Sequence, residues 1–150
     1  MAREFPNVVA RISEVQSRVD QAAREIADLR VPNKRFGTYI YGLTVKAFDA
    51  QGKAEGWEPW APLLPATIVE KNRIGKEVPL VRTGELRTGF VPESGENPGV
   101  GNTVRHARYF EEGTDTMPRR QLLPSREFFL KTALKVYNQY VGEVTRRANG

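Results

Sequence analysis

A single histidine, His106, and no cysteine stand among the 150 residues, so the chemistry open to this chain is narrow from the outset. Imidazole titrates near neutrality and is the usual first candidate for a general base or a metal ligand. The nearest acids, Glu111 and Glu112, are not at a spacing that makes a ligand set or a triad with it. A hydrolase built on His106 would lack partners, and the residue reads as structural or surface. Without thiols there are no thiolate metal sites and no disulfides. Gly95, Gly99, Gly101 and Gly113 lack the Gly-x-Gly-x-x-Gly or Gly-Lys-Ser/Thr order that cradles phosphate, so they read as turn glycines. Trp57 and Trp60 could stack on a ligand, but tryptophan's large apolar area with one donor suits a core or interface anchor better. Met117, Pro118, Arg119, Arg120 and Gln121 fall in a loop whose basic and apolar tip reads either as a partner contact or as solvated surface. No catalytic, cofactor or metal constellation emerges.

The totals describe an ordinary soluble domain: 39% hydrophobic and 27% charged residues, enough chain for one core. No window approaches the ~18 uninterrupted apolar residues of a membrane span, and the charges interleaved in MAREFPNVVARISEV are unlike a signal peptide. The net charge is +5. Residues 31–88 carry nine basic and six acidic groups and residues 126–150 carry five and two, whereas 89–125 carry four and five. The excess is spread over two regions. A nucleic-acid footprint clusters its cations on one face, so composition alone does not establish one.

The elements that would position any site follow from periodicity. Val8, Ile12, Val15, Val19, Ala22, Ile26 and Leu29 alternate spacings of four and three, which predicts a helix over 7–30, N-capped by Asn7 and stopped at Val31-Pro32. Such a helix is about 36 Å long. Its narrow seam either packs in the core or lies partly against a neighbouring subunit. Residues 36–50, FGTYIYGLTVKAFDA, are rich in aromatic and β-branched types and are expected to form a strand, with Gly42 at a bulge. A turn over Asp49–Gly52 follows. Pro59, Pro62 and Pro65 make Trp57–Pro65 an irregular extended loop, then 65–71 reads as a short helix and 79–81 as an extended piece. Residues 88–94 and 99–104 are expected as two short strands, and 105–110 as their continuation or a helical turn. Ser125 is expected to cap a last helix running to about Arg147. The whole is an α+β fold, an antiparallel sheet flanked by long N- and C-terminal helices in a single domain over 1–150, with the strands, the Trp/Pro loop and the short helix within 36–110.

Taken together, Trp60-Ala-Pro62-Leu63, Thr67, Lys71 and Leu80-Val-Arg-Thr83-Gly84-Glu-Leu86-Arg87 resemble the signature of the phage virion morphogenesis family, the tail completion proteins of Mu-like and P2-like contractile-tailed phages. Val100-Gly101, Ala107-Arg108-Tyr109, Gly113 and Pro124-Ser-Arg126-Glu-Phe128 follow in the family's order. The departures are a tyrosine after the alanine, Phe110-Glu-Glu before the glycine, and an individual loop over 114–123. The resemblance covers about residues 57–130.

It implies a structural assembly protein that is not an enzyme, completes or caps the tail and helps join it to the head. It also implies a virion location after assembly in the host cytoplasm. Relatives form rings, commonly hexameric, so the implied partners are further copies, tail tube, sheath and neck proteins, and DNA passing through the channel. Under the resemblance, Trp60, Leu63, Thr83, Gly84, Leu86 and Arg126 define the fold. The exposed side of the first helix, Arg87 and the Met117–Gln121 loop are the expected contact surfaces. The alternative is a small basic nucleic-acid-binding module using the cations of 31–88 and the last helix.

Overall fold

The computed structural model describes residues 6–62 and 84–150, with side chains from residue 13. Helix α1 spans Pro6–Ala27 and helix α2 Arg30–Asp49. The expected stop at Val31-Pro32 is in fact a start. Pro32 sits in the first turn of α2, where a missing amide costs nothing. Asp28 makes the corner: its carboxylate accepts from the Arg30 backbone N–H at 3.2 Å and from the Arg30 guanidinium at 2.9 and 2.7 Å. Those bonds, first the side-chain and then the backbone one, hold the Asp28 carboxyl down to about 2.

The strand expected over 36–50 is a helix. Its buried residues, Phe36, Ile40, Thr44, Ala47 and Phe48, recur at the 3.6-residue period of one helical face, and that burial overrides the local β preference. Thr44 fits the interior because its hydroxyl donates to the Ile40 carbonyl one turn back, at 2.7 Å. The turn after Asp49 closes α2: Gly52, with φ of +79°, donates its N–H to the Ala47 carbonyl at 2.9 Å.

After a short turn of helix, α3 (Glu85–Thr88), strands β1 (Phe90–Glu93) and β2 (Gly99–Asn102) form an antiparallel hairpin with Pro92 opposite Val100. These two strands are the whole sheet among the described residues, so the fold is α+β as expected but with far more helix. Of the two readings for 105–110 the helical one holds, as α4 (Ala107–Glu112). Helix α5 runs over Arg126–Asn149, and the Ser125 side chain accepts from the Phe128 N–H at 3.3 Å, the expected cap.

Two apolar clusters join these pieces. Phe36, Ile40 and Val136 pack α2 on α5, with Phe129 edge-on to Phe36 at 4.9 Å. Phe48, Leu86, Phe90, Ala107 and Leu122 bring together α2, α3, the hairpin and α4. The hairpin presses closely on α2, because a Cβ at Gly37 would overlap the Glu93 carbonyl oxygen. Asn33 donates to the Gly95 carbonyl at 2.9 Å and accepts from the Tyr137 hydroxyl, linking hairpin, α2 and α5.

Helix α1 lies antiparallel to α5. Arg18 donates to the Gly150 carbonyl at 3.0 Å, the Tyr140 hydroxyl to the Glu25 carbonyl at 2.8 Å, and Arg147 pairs with Glu25 at 3.0 Å.

The two glycines of α2 predict opposite outcomes. Alanine for glycine in a helix interior gains about 1 kcal/mol of propensity. At Gly42 the added methyl meets only open space, so Gly42→Ala raises the unfolding free energy by about that amount and the denaturant midpoint with it; at Gly37 the overlap costs about 1–3 kcal/mol, and Gly37→Ala lowers both. Equal effects of the two substitutions would contradict the close approach. For Asp28, the folded carboxyl titrates below its ordinary value of 3.8. Its contribution is therefore fully present above that value and lost as pH falls through about 2. A carboxyl NMR titration gives a midpoint near 2 for Asp28 and a normal one if the Arg30 pairing is absent in solution.

Candidate functional site

Five of the residues marked out by sequence, Trp57, Trp60, Pro62, Arg120 and Gln121, meet in one construction, a strap over 56–62 clamped to the segment 120–123. Its proline-bearing backbone cannot form a ladder, so side chains satisfy it. Trp57 is buried and its indole N–H donates to the Leu122 carbonyl at 3.0 Å; that of Trp60 donates to the Gln121 carbonyl at 2.8 Å. Gln121 reciprocates. Its amide donates to the carbonyls of Gly56 and Leu123 at 2.9 and 2.8 Å, and its oxygen accepts from the Glu58 N–H at 3.0 Å. The Arg120 guanidinium donates to the carbonyls of Ala61 and Pro62 at 3.2 and 3.3 Å.

Arg120 and Gln121 are 6% and 5% exposed, so the contact loop expected at Met117–Gln121 is reduced to its outer part. The loop turns inward because the strap's carbonyls and amides need partners. Desolvation lowers the Arg120 pKa, and two backbone carbonyls stand in for the water it has lost. Arg119 stays at the surface, donating to the Glu111 carbonyl at 2.7 Å, while Met117 is half-buried. Glu111, set aside as a partner for His106, accepts from the Leu123 N–H at 3.0 Å and from the Leu122 N–H, so its carboxylate supports the clamp from below.

Of the other marked residues, Phe128 joins this frame and the rest lie elsewhere. Trp60 stands edge-on to Phe48 at 5.1 Å, and Phe128 leans on Trp57 at 5.5 Å. A Cβ at Gly56 would strike the Phe128 ring, so the strap's first residue must be glycine. Gly84 takes φ of +76° at the entry to α3, and Leu86 is in the core. Gly113, also at +76°, closes α4 against Arg119. Pro124 is half-buried, while Arg126 is exposed at the first position of α5. Tyr109 is exposed, with the Arg108 guanidinium 5.2 Å from its ring centre. Arg87 holds Asp49 through two bonds of 2.7 and 2.9 Å, tying α3 to the end of α2 and keeping the Asp49 carboxyl below its ordinary value. Leu63, Thr67, Lys71 and Thr83, with the short helix expected at 65–71 and the extended piece at 79–81, lie outside the described residues.

His106 is exposed, edge-on to Phe110 at 5.9 Å. Among the described residues, no cluster of His, Asp or Glu could hold a metal ion, and no helix is long and apolar enough to cross a membrane. The chain matches no protein-family model, no curated protein and no solved structure.

Among the described residues, several surfaces are left uncovered, three of them on or beside the long helices. Every residue of α1 over 13–21 is exposed, including Val15 at 60% and Val19 at 59%. On α5, Leu130, Leu134 and Val141 form an exposed apolar stripe beside the buried face. Between α2 and α5 lies a groove of about 490 Å³ whose apolar floor, Leu43, Trp57 and Phe128, is rimmed by Lys46, Lys131 and Lys135. Reading 36–50 as a strand hid this groove; at helical spacing Tyr39, Leu43 and Lys46 share one side.

The clamp predicts a large cost for a small truncation. Gln121→Ala removes three hydrogen bonds and strands the Glu58 N–H, so it destabilises by about 2–3 kcal/mol. Met117→Ala, at the half-buried outer loop, changes stability by about 1 kcal/mol or less. Chemical denaturation of the two variants measures the difference.

Proposed function

We propose that the protein is a structural virion assembly subunit that completes or caps a phage tail and helps join it to the head, working as a homo-oligomeric ring. The observation that carries this reading is the half-bare seam of α1. Further along α1 the chain itself partly covers the seam, with Ala22 and Ile26 half-buried on the side of α5, while Leu29 beyond the helix end is exposed. Upstream, Val15 and Val19 continue the same stripe into solvent. A helix that keeps an a/d stripe beyond its own fold has an apolar face suited to another helix. Burying each valine there would gain roughly 1–2 kcal/mol.

The strap supports the same reading in another way. Its tryptophans are consumed as anchors, their indole donors spent on Gln121 and Leu122, so they offer no ligand-stacking platform. What remains for function is surface: an apolar seam, an apolar stripe on α5 and a lysine-rimmed groove. These are the parts of an assembly module, and they fit the resemblance of the Trp60–Phe128 motifs to tail completion proteins.

The valines allow fold and assembly to be separated. Because both are exposed, Val15→Ser with Val19→Ser leaves unfolding within about 0.5 kcal/mol of the parent. Sedimentation velocity over a concentration series then shows the parent rising to a multiple of the single-chain mass and the double variant staying at one chain. A parent that remains monomeric, and binds duplex DNA with an affinity that falls steeply with salt, would favour the nucleic-acid module instead.

A further inference from the structure

The lysine-rimmed groove and the β1–β2 hairpin lie on opposite flanks of α2 and have opposite charge. On one flank, Asn33 and Gly37 meet the hairpin through the Gly95 and Glu93 carbonyls. On the other, Tyr39, Leu43 and Lys46 line the groove, about 180° around the helix from Gly37 at 100° per residue. From Gly89 to Val104 the hairpin region contains Glu93 and Glu96 and no lysine or arginine. Its tip over 91–97 is wholly exposed. The groove rim carries Lys46, Lys131 and Lys135 against one acid, Glu55, which holds Lys131 at 2.8 Å. Among the described residues Lys46 and Lys135 have no ion-pair partner, and neither have Glu93 and Glu96.

We infer that the groove between α2 and α5 receives the acidic β1–β2 hairpin tip of a second copy of this chain, in a head-to-tail contact. The inference rests on the assembly reading above and names the surfaces through which one neighbour meets the next. A chain cannot fill its own groove, because its hairpin is pinned to the far side of α2. A contact between two different patches on opposite flanks is heterologous, and repeated it generates a ring or an open helix.

Both sides are built to keep their shape. The groove floor is fixed by the Trp57 bond to Leu122, by Phe128 packed on Trp57, and by the Ser125 N–H on the Gly56 carbonyl at 2.8 Å. The hairpin tip is fixed by Asn33 and by the close approach at Gly37. Val91, exposed beside Glu93, gives the tip an apolar element for the Leu43 and Phe128 floor. The lysines then set register and choice of partner, which is where exposed charge acts most strongly.

A charge swap tests the contact. One variant carries Lys46→Glu with Lys135→Glu, the other Glu93→Lys with Glu96→Lys. All four side chains are exposed, so circular dichroism and the unfolding midpoint stay those of the parent. Each variant alone sets like charges against each other and associates at least tenfold more weakly than the parent by sedimentation velocity. Mixed in equal amounts they associate again, because the acidic groove of one meets the basic hairpin of the other in both directions. If the parent associates and each variant alone does so equally well, the hairpin–groove contact is wrong while the assembly reading stands. A monomeric parent at every concentration removes both. If the groove variant keeps its self-association but loses binding to a DNA duplex, the groove is a polyanion site and the inference is overturned.

Discussion

An irregular segment inside a small fold must find partners for its backbone from outside itself. The strap over 56–62 does so through three consecutive residues, Arg120, Gln121 and Leu122. The arrangement is reciprocal: indole donors of the strap reach carbonyls of 121 and 122, and side chains of 120 and 121 return to carbonyls and an amide of the strap. Because the strap leaves α2 through the Gly52 turn and touches Phe128 through Gly56, this clamp also sets how α2 enters and how α5 begins. Glu111, at the end of α4, extends the same dependence to the second cluster. A buried arginine with no acidic partner among the described residues is an expensive way to cap two carbonyls, since desolvation of the cation opposes it. A fork of donors on a long stem reaches both Ala61 and Pro62 at once, which no single backbone amide can do.

What could be read from the chain divides along a physical line. Periodicities with a strong cap or terminator, such as α5 behind Ser125, appear close to their expected bounds. So do the two strands around the Ser94–Pro98 turn, where glycine, proline and asparagine leave little choice. The segment 36–50 went the other way because propensity and periodicity disagreed in it. Tyr39, Tyr41, Thr38, Thr44 and Val45 favour extended chain locally, but Phe36, Ile40, Thr44, Ala47 and Phe48 make one continuous helical face against α5, the hairpin and Leu86. Tertiary burial decides such cases, and it is not a local quantity. The same blindness hid the burial of Arg120 and Gln121. Their polarity suggested surface, and only the presence of the strap's unsatisfied groups explains why they face inward.

The uncovered surfaces differ in kind, and the difference bears on how an assembly of such chains would be specified. The valines of α1 and the leucines of α5 provide area that is non-directional; they would accept any apolar helix of suitable width. Exposed lysines and glutamates contribute little each in free energy, because water screens them and ordering long side chains is unfavourable. They are nevertheless selective, since like charges brought together across an interface are strongly disfavoured. A chain that carries apolar stripes on its long helices and opposite charges on the two flanks of α2 therefore separates affinity from register. Two copies related by a twofold axis through either flank would set lysine against lysine or glutamate against glutamate. Rotation about the axis of a ring would bring unlike flanks together at every step. The sign of the charge on the two flanks thus disfavours a symmetric dimer through either flank of α2, and is compatible with the proposed head-to-tail contact.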